Sequence, residues 1–250
     1  MANTRAKRAD RPNPRENRKS RNSSSNVIQF DQFIKSTKKK VILIPRNLKQ
    51  EDLLANLSNQ DVSIVFAVGP AGSGKSYIST LWAIQEFKSG KIDKIVITRP
   101  NVAVDDRDIG FLPGDIFKKL APWCMPILDI FAEYFSQKEI QSLLENGQLE
   151  LCPVAFIRGR TFKNSIVIVD EAQGTTANSM LSILTRIGEN SKMIVTGDIR
   201  QSDRGDTNGL SDFLNRFKSS NRIAVVQFTH REIVRHEVVE EVLKIYGQDD

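Results

Sequence analysis

Two short stretches carry residue types able to handle a phosphate chain. The first, GPAGSGKS at 69–76, fits G-x-x-x-x-G-K-[ST] between an apolar run and a helical pattern. With ordinary residue usage that pattern arises by chance in roughly one chain of this length in a hundred. The strand–loop–helix context makes coincidence rarer still. Gly69, Gly72 and Gly74 let the backbone curl so that successive N–H groups face inward, and the helix N-terminus adds partial positive charge. Lys75 would reach the β- and γ-phosphates, and Ser76 would set its hydroxyl on Mg²⁺. The stretch reads as a nucleotide site rather than a glycine turn beside a surface lysine.

The second stretch is SIVIVDEAQ, an apolar run ending on adjacent carboxylates. A phosphate loop needs an acid at the tip of another parallel strand. Asp170 would hold Mg²⁺, and Glu171 would polarise an attacking water, which makes the site hydrolytic. The alternative is that one acid only caps the following helix. A third run, SKMIVTGDIRQ, ends in Thr196, Gly197 and Asp198, with Gln201 three residues on. A polar group there could touch the γ-phosphate or the water and report hydrolysis. Alone, this GDxxQ spacing could be a plain turn.

Strands and helices must alternate to bring these stretches together. Val- and Ile-rich runs at 62–68, 94–98, 165–170, 191–197 and 222–228 suit strands buried on both faces of a parallel sheet, and 148–158 alternates enough to be another. Helical patterns fall at about 75–89, 116–135, 137–146, 176–187, 208–218 and 233–246, after a short amphipathic helix through Leu48, Leu53, Leu54 and Leu57. The expected fold is α/β: one doubly wound, mostly parallel sheet. Ala177, Met180, Leu181, Leu184 and Ile187 trace one apolar stripe, with Thr175 or Thr176 as start and Gly188 as stop. Pro122 should split 116–135 into two pieces, with Trp123 packed into the core near the kink.

The net charge of +6 hides an asymmetry: residues 1–40 carry +9 and the remainder −3. Residues 1–40 therefore read as a basic, disordered tail, either a nucleic-acid arm or a solubilising extension, and 41–250 as the folded domain. No apolar stretch approaches the roughly 20 residues of a membrane span, and the basic start lacks the apolar core of a secretory signal. Cys124 and Cys152 read as buried free thiols, and the expected location is cytoplasmic.

In order and wording these stretches resemble the PhoH (phosphate-starvation-inducible) family of P-loop ATPases, akin to the first motor domain of superfamily 1 helicases. The matching runs are VGPAGSGKSY, KIVITRPNV, GFLPGD, RGRTFKNSIVIVDEAQ, LTRIGENSKMIVTGD and VRHEVV, from about residue 45 to 246. The resemblance implies a RecA-like P-loop core and ATP hydrolysis with Mg²⁺. It also implies assembly into a ring or other oligomer, a hexamer among the forms, and a link to RNA or other single-stranded nucleic acid. ATP would contact Gly69, Pro70, Ala71, Gly72, Ser73, Gly74, Lys75, Ser76 and Tyr77. Ser76 and Asp170 would serve the metal, and Gln50 would read the adenine edge.

Hydrolysis usually wants a cation at the transition state, worth about 10³–10⁵ in rate. Arg235 is the first candidate, because its place resembles the last helicase motif, followed by Arg158 and Arg160; Arg99, Arg186 and Arg200 are further ones. A neighbouring subunit is expected to supply the finger. The loop TRPNVAVDDRDIGFLPGD has too many acids to be a simple phosphate-binding patch and could equally be a subunit contact. Two functions remain: ATP-driven remodelling of nucleic acid, or nucleotide-controlled assembly without strand movement.

Overall fold

The computed structural model describes residues 40–100, 116–202 and 208–233 and isolated positions 238 and 245, with 116–121 as backbone only. The basic tail up to residue 39, the acidic loop after Pro100, most of the helical pattern over 233–246, Arg235 and His236 lie outside the described residues. Among the described residues six strands form one all-parallel sheet: β1 (Ile64–Val68), β2 (Lys94–Thr98), β3 (Leu149–Leu151), β4 (Ser165–Val169), β5 (Lys192–Gly197) and β6 (Ile223–Gln227). Their spatial order is β3-β2-β4-β5-β1-β6. β5 thus stands between the strand that feeds the phosphate loop and the strand that ends in the acids, as a RecA-like core requires.

Alternation along the strands builds two cores. Val65, Ala67, Ile95, Ile97, Ile166, Ile168 and Ile194 face α1 (Leu48–Ser58), α2 (Lys75–Lys88) and α3 (Ile116–Ala132). Phe66, Val68, Val96, Val167, Val169 and Val195 face α5 (Ala177–Leu184) and α6 (Gly209–Arg216). With both faces covered, the strands are continuous apolar runs. The remaining helix, α4 (Gln137–Glu145), starts on a capping box from Ser136 and Glu139.

Register aligns the strand tips. Val68 pairs with Gly197, Val169 with Val195, and Thr98 with Val169. The next residues, Arg99 and Asp170, are therefore neighbours at the sheet's C-terminal edge, and the Asp170 amide donates to the Thr98 carbonyl at 2.9 Å.

Several expectations change. Residues 116–132 form one helix despite Pro122 and Pro126. Each proline removes one backbone donor, but buried Cys124, Ile127, Ile130 and Phe131 hold the helix on the sheet. Trp123 is 38% exposed rather than core. The stretch after Leu151 leaves the sheet for a 3-10 turn over Val154–Phe156. In α5 the inward face is Met180 and Ile183, three apart, which turns Leu181 out to solvent. The α5 helix stops at Leu184, before Gly188, whose place follows from packing: a Cβ there would meet the Phe162 carbonyl oxygen at 2.6 Å. Thr176 is the N-cap of α5, accepting from the Ser179 amide. Leu48 is exposed while Leu53 and Leu57 are fully buried. Both cysteines are buried free thiols, as expected.

Candidate nucleotide site

The loop from Gly69 to Gly74 joins β1 to α2 with Gly69, Gly72 and Gly74 at positive φ. Gly69 is needed on two counts: its φ is +143°, and a Cβ would lie 2.3 Å from the Phe228 carbonyl oxygen. Gly74, as N-cap of α2, brings no side chain to occupy the first-turn amides. Those amides and the helix dipole favour an anion. The Lys75 ammonium lies against the loop, donating to the Pro70 carbonyl at 2.6 Å and to Ser73 Oγ at 3.2 Å. Lys75 is nearly buried, so its charge acts over a short range in a partly desolvated place.

The first turn of α2 and the tips of β4 and β5 converge on one carboxylate oxygen. Ser76 Oγ donates to Asp170 Oδ1 at 2.8 Å, and Thr196 Oγ1 donates to the same atom at 2.6 Å. Asp170 is only 4% exposed. Ser76 and Asp170 form a hard oxygen pair that suits Mg²⁺, an ion that takes one or two carboxylates and fills its shell with phosphate oxygens and water. Among the described residues no group of three or more His, Cys, Asp or Glu could hold a metal.

Glu171 follows in the left-handed region, φ +55°, a strained setting for a non-glycine residue. Two arms hold its carboxylate. Gln173 Nε2 donates to Oε2, and the Arg99 guanidinium lies 3.3 Å from Oε1. Gln173 is itself buried, and its Oε1 accepts from the Asp198 amide at 3.1 Å. This explains Gly197, where a Cβ would sit 2.8 Å from that Gln173 oxygen. The tips of β4 and β5 are thereby tied through one amide side chain.

Two clefts open here. One of about 320 Å³ is lined by Lys75, Ser76, Asp170, Glu171, Asp198 and Gln201. Ala71, Gly72, Gly74, Tyr77 and Gly197 complete its lining. The other, about 290 Å³, is lined by Arg99, Trp123, Gln173 and again Glu171 and Gln201.

Other expected residues sit elsewhere. Gln50 is buried behind the loop, its Nε2 donating to the Ser73 carbonyl and its Oε1 accepting from the Arg46 amide. One N–H and one lone pair of that amide remain for a further partner. Arg160 lies at the β3 edge, paired through both terminal nitrogens with Glu150 and packed over Phe162. That hydrogen bond holds the Glu150 carboxyl below its ordinary range, with Lys94 adding to it against the effect of burial. Arg158 is exposed in the same turn. Neither arginine lines the two clefts. Sequence reasoning gave Arg99 only as one of several arginines and gave Gln173 no role. The available signal for Arg99 was its place one residue past a strand adjoining the acid strand.

The PhoH-like protein family model matches residues 42–247. A PhoH-like protein of Bacillus subtilis is 35% identical over 222 residues, covering 88% of this chain and 68% of its own length. Protein PhoH of Escherichia coli K12 is 40% identical over 209 residues, covering 82% of this chain and 58% of its own. The chain thus spans roughly three fifths to two thirds of these relatives' length. Among solved structures it is similar to the UvsW helicase from bacteriophage T4, with 15% identity, a TM-score of 0.46, and 74% and 61% of the two chains covered. At that level the likeness adds nothing to the strand order. By the family match over most of its length, the chain belongs to the PhoH-like proteins.

Proposed function

We propose that the protein is a Mg²⁺-dependent ATPase that couples hydrolysis to the remodelling of RNA or another single-stranded nucleic acid, acting as an oligomer. The observation that carries the ATPase reading is the convergence of Ser76 and Thr196 on Asp170 beside the Lys75 loop, with Glu171 next in sequence. In this reading the loop amides and Lys75 bind the β- and γ-phosphates. Ser76 and Asp170 would hold the metal, which would supply positive charge to neutralise the charge that develops on the phosphate. Glu171 orients the attacking water and takes its proton at a carboxylate oxygen. Gln201, shared by both clefts, contacts the γ-phosphate or that water. Gln50 uses its spare amide hydrogen and lone pair for the adenine edge.

Nucleic-acid action and oligomeric state belong to the same reading, supported by the helicase-like placement of the motifs and by the basic tail. The transition-state cation is assigned to Arg235, with Arg158 as the exposed second choice; the Glu150 pairing of Arg160 favours a structural duty for that residue. No helix among the described residues is long and apolar enough to cross a membrane. The test is ATP turnover with and without single-stranded RNA at low salt. At least several-fold stimulation, abolished by Lys75→Ala, is the expected result. ATP-dependent oligomerisation with no stimulation would replace strand remodelling by nucleotide-controlled assembly.

A further inference from the structure

Arg99 stands where no phosphate-loop chemistry requires a cation, yet it touches the acid that does the work. It follows the last residue of β2, and strand register sets it beside Asp170. Its guanidinium lies 3.3 Å from Glu171 Oε1 and 4.0 Å from Asp170 Oδ2. On the other side it donates to the Trp123 carbonyl of α3 at 2.9 Å. Pro126 has no N–H to give the carbonyl four residues earlier, so this stretch of α3 is short of one backbone bond. Arg99 fastens to the same turn. Its side chain is a quarter exposed, so the ion pair is partly shielded from water.

The placement separates Arg99 from a phosphate ligand. It lines the 290 Å³ cleft with Trp123 and Gln173, and is absent from the lining of the 320 Å³ cleft that holds Lys75 and Ser76. Glu171 belongs to both. A carboxylate offers about four lone-pair positions. Gln173 takes one on Oε2 by a hydrogen bond and Arg99 faces Oε1 as an ion pair, which orients the group and leaves lone pairs for water. Glu171 needs such holding, because its backbone is in the left-handed region and its side chain is 38% exposed.

We propose that Arg99 is a positioning residue acting in cis, which together with Gln173 fixes the Glu171 carboxylate toward the attacking water and braces it against α3. This rests on the reading of Glu171 as the water-orienting group. Arg99 contributes to turnover through Glu171 and not through the nucleotide.

The experiment is a double-mutant cycle on the full chain: wild type, Arg99→Ala, Glu171→Gln and the double variant, assayed for ATP turnover and nucleotide affinity. Arg99→Ala should lower kcat about 10–100-fold, the scale of a misplaced catalytic group, with KM and ADP affinity within about twofold. Arg99→Lys should recover part of the loss. In the Glu171→Gln background, Arg99→Ala should change the residual single-turnover rate by less than about twofold, because the group it positions is already disabled. A further drop of about tenfold or more in the double variant would overturn the proposal, since Arg99 would then act on the phosphate itself. Wild-type kcat in Arg99→Ala would also overturn it. Wild-type turnover in Glu171→Gln alone would instead remove the parent reading, and this inference with it. If Arg99→Ala does not fold, Arg99→Lys carries the test: it keeps the charge but loses the two-armed geometry, so a fall in kcat at constant KM supports the proposal and unchanged kcat contradicts it.

Discussion

The two ends of the sheet differ in a way that cavity size does not predict. At the N-terminal end of the strands lies a cleft of about 570 Å³, larger than either cleft at the C-terminal end. Its most buried cation, Lys192, is spent on structure. Lys192 Nζ donates to the carbonyls of Leu57 and Asn59 at 2.6 and 2.7 Å, closing the end of α1. Burial pulls its ammonium down to about 8, with the charge of Glu86 acting against it. Ser191 likewise serves the Phe162 and Glu189 carbonyls. At the C-terminal end, Asp170 and Glu171 point polar atoms into shared space. The first turn of α2 there has no side-chain cap, and the backbone at Glu171 is strained. What marks a site is convergent charge and strain, not volume; parallel sheets place it beyond the carboxyl ends of their strands.

Substitutions at the two ends should therefore move different observables. Of the variants that contrast the two ends by turnover and melting, Lys75→Ala should cost the most activity: turnover at saturating ATP falls about 10²–10³-fold, as for loss of one preorganised charge, with melting temperature nearly unchanged. Loss of melting temperature with preserved turnover would invert the comparison. Gln173→Ala should lower kcat about tenfold, and should cost some stability too, because the Asp198 amide loses its acceptor. At the other end, Lys192→Met should leave kcat unchanged and lower stability by about 1 kcal/mol, since it takes the donor from the part-buried Leu57 carbonyl and the exposed Asn59 carbonyl. Differential scanning calorimetry beside an ATPase assay checks both.

The smallest expected effect is a pH dependence. Glu150 has a folded pKa below its unfolded value, so its pairing with Arg160 contributes fully above the ordinary carboxylate range, about 4.3. That contribution is lost as pH falls through the depressed folded value. The difference in melting temperature between wild type and Glu150→Gln should thus shrink on going from pH 6 to pH 3. A difference that is flat with pH would remove the ion pair from the account.

The strands were legible because double burial makes them unbroken apolar runs, and the phosphate loop because its glycines answer to backbone geometry. The acid pair was legible from its place at the end of such a run. What failed to show was anything decided across the sheet. Trp123 looks like core by composition, but the rotation of α3 sets Cys124 and Ile127 inward instead. Leu181 belongs to a plausible stripe that α5 does not present to the sheet. The arms on Glu171 come from β2 and from a buried amide two residues on, and only strand order brings Arg99 there. Gly197 and Gly188 look like turn residues, yet each is held by a close neighbour rather than by its own φ.

The most direct test of the central claim, that the C-terminal edge is a hydrolytic nucleotide site with Glu171 acting on water, is Glu171→Gln assayed for ATP binding and turnover together. Binding of MgATP should stay within about threefold of wild type, while kcat falls about 10²–10⁴-fold, the range for a general base. Turnover that stays within a few-fold of wild type, with ATP bound equally well, would contradict it.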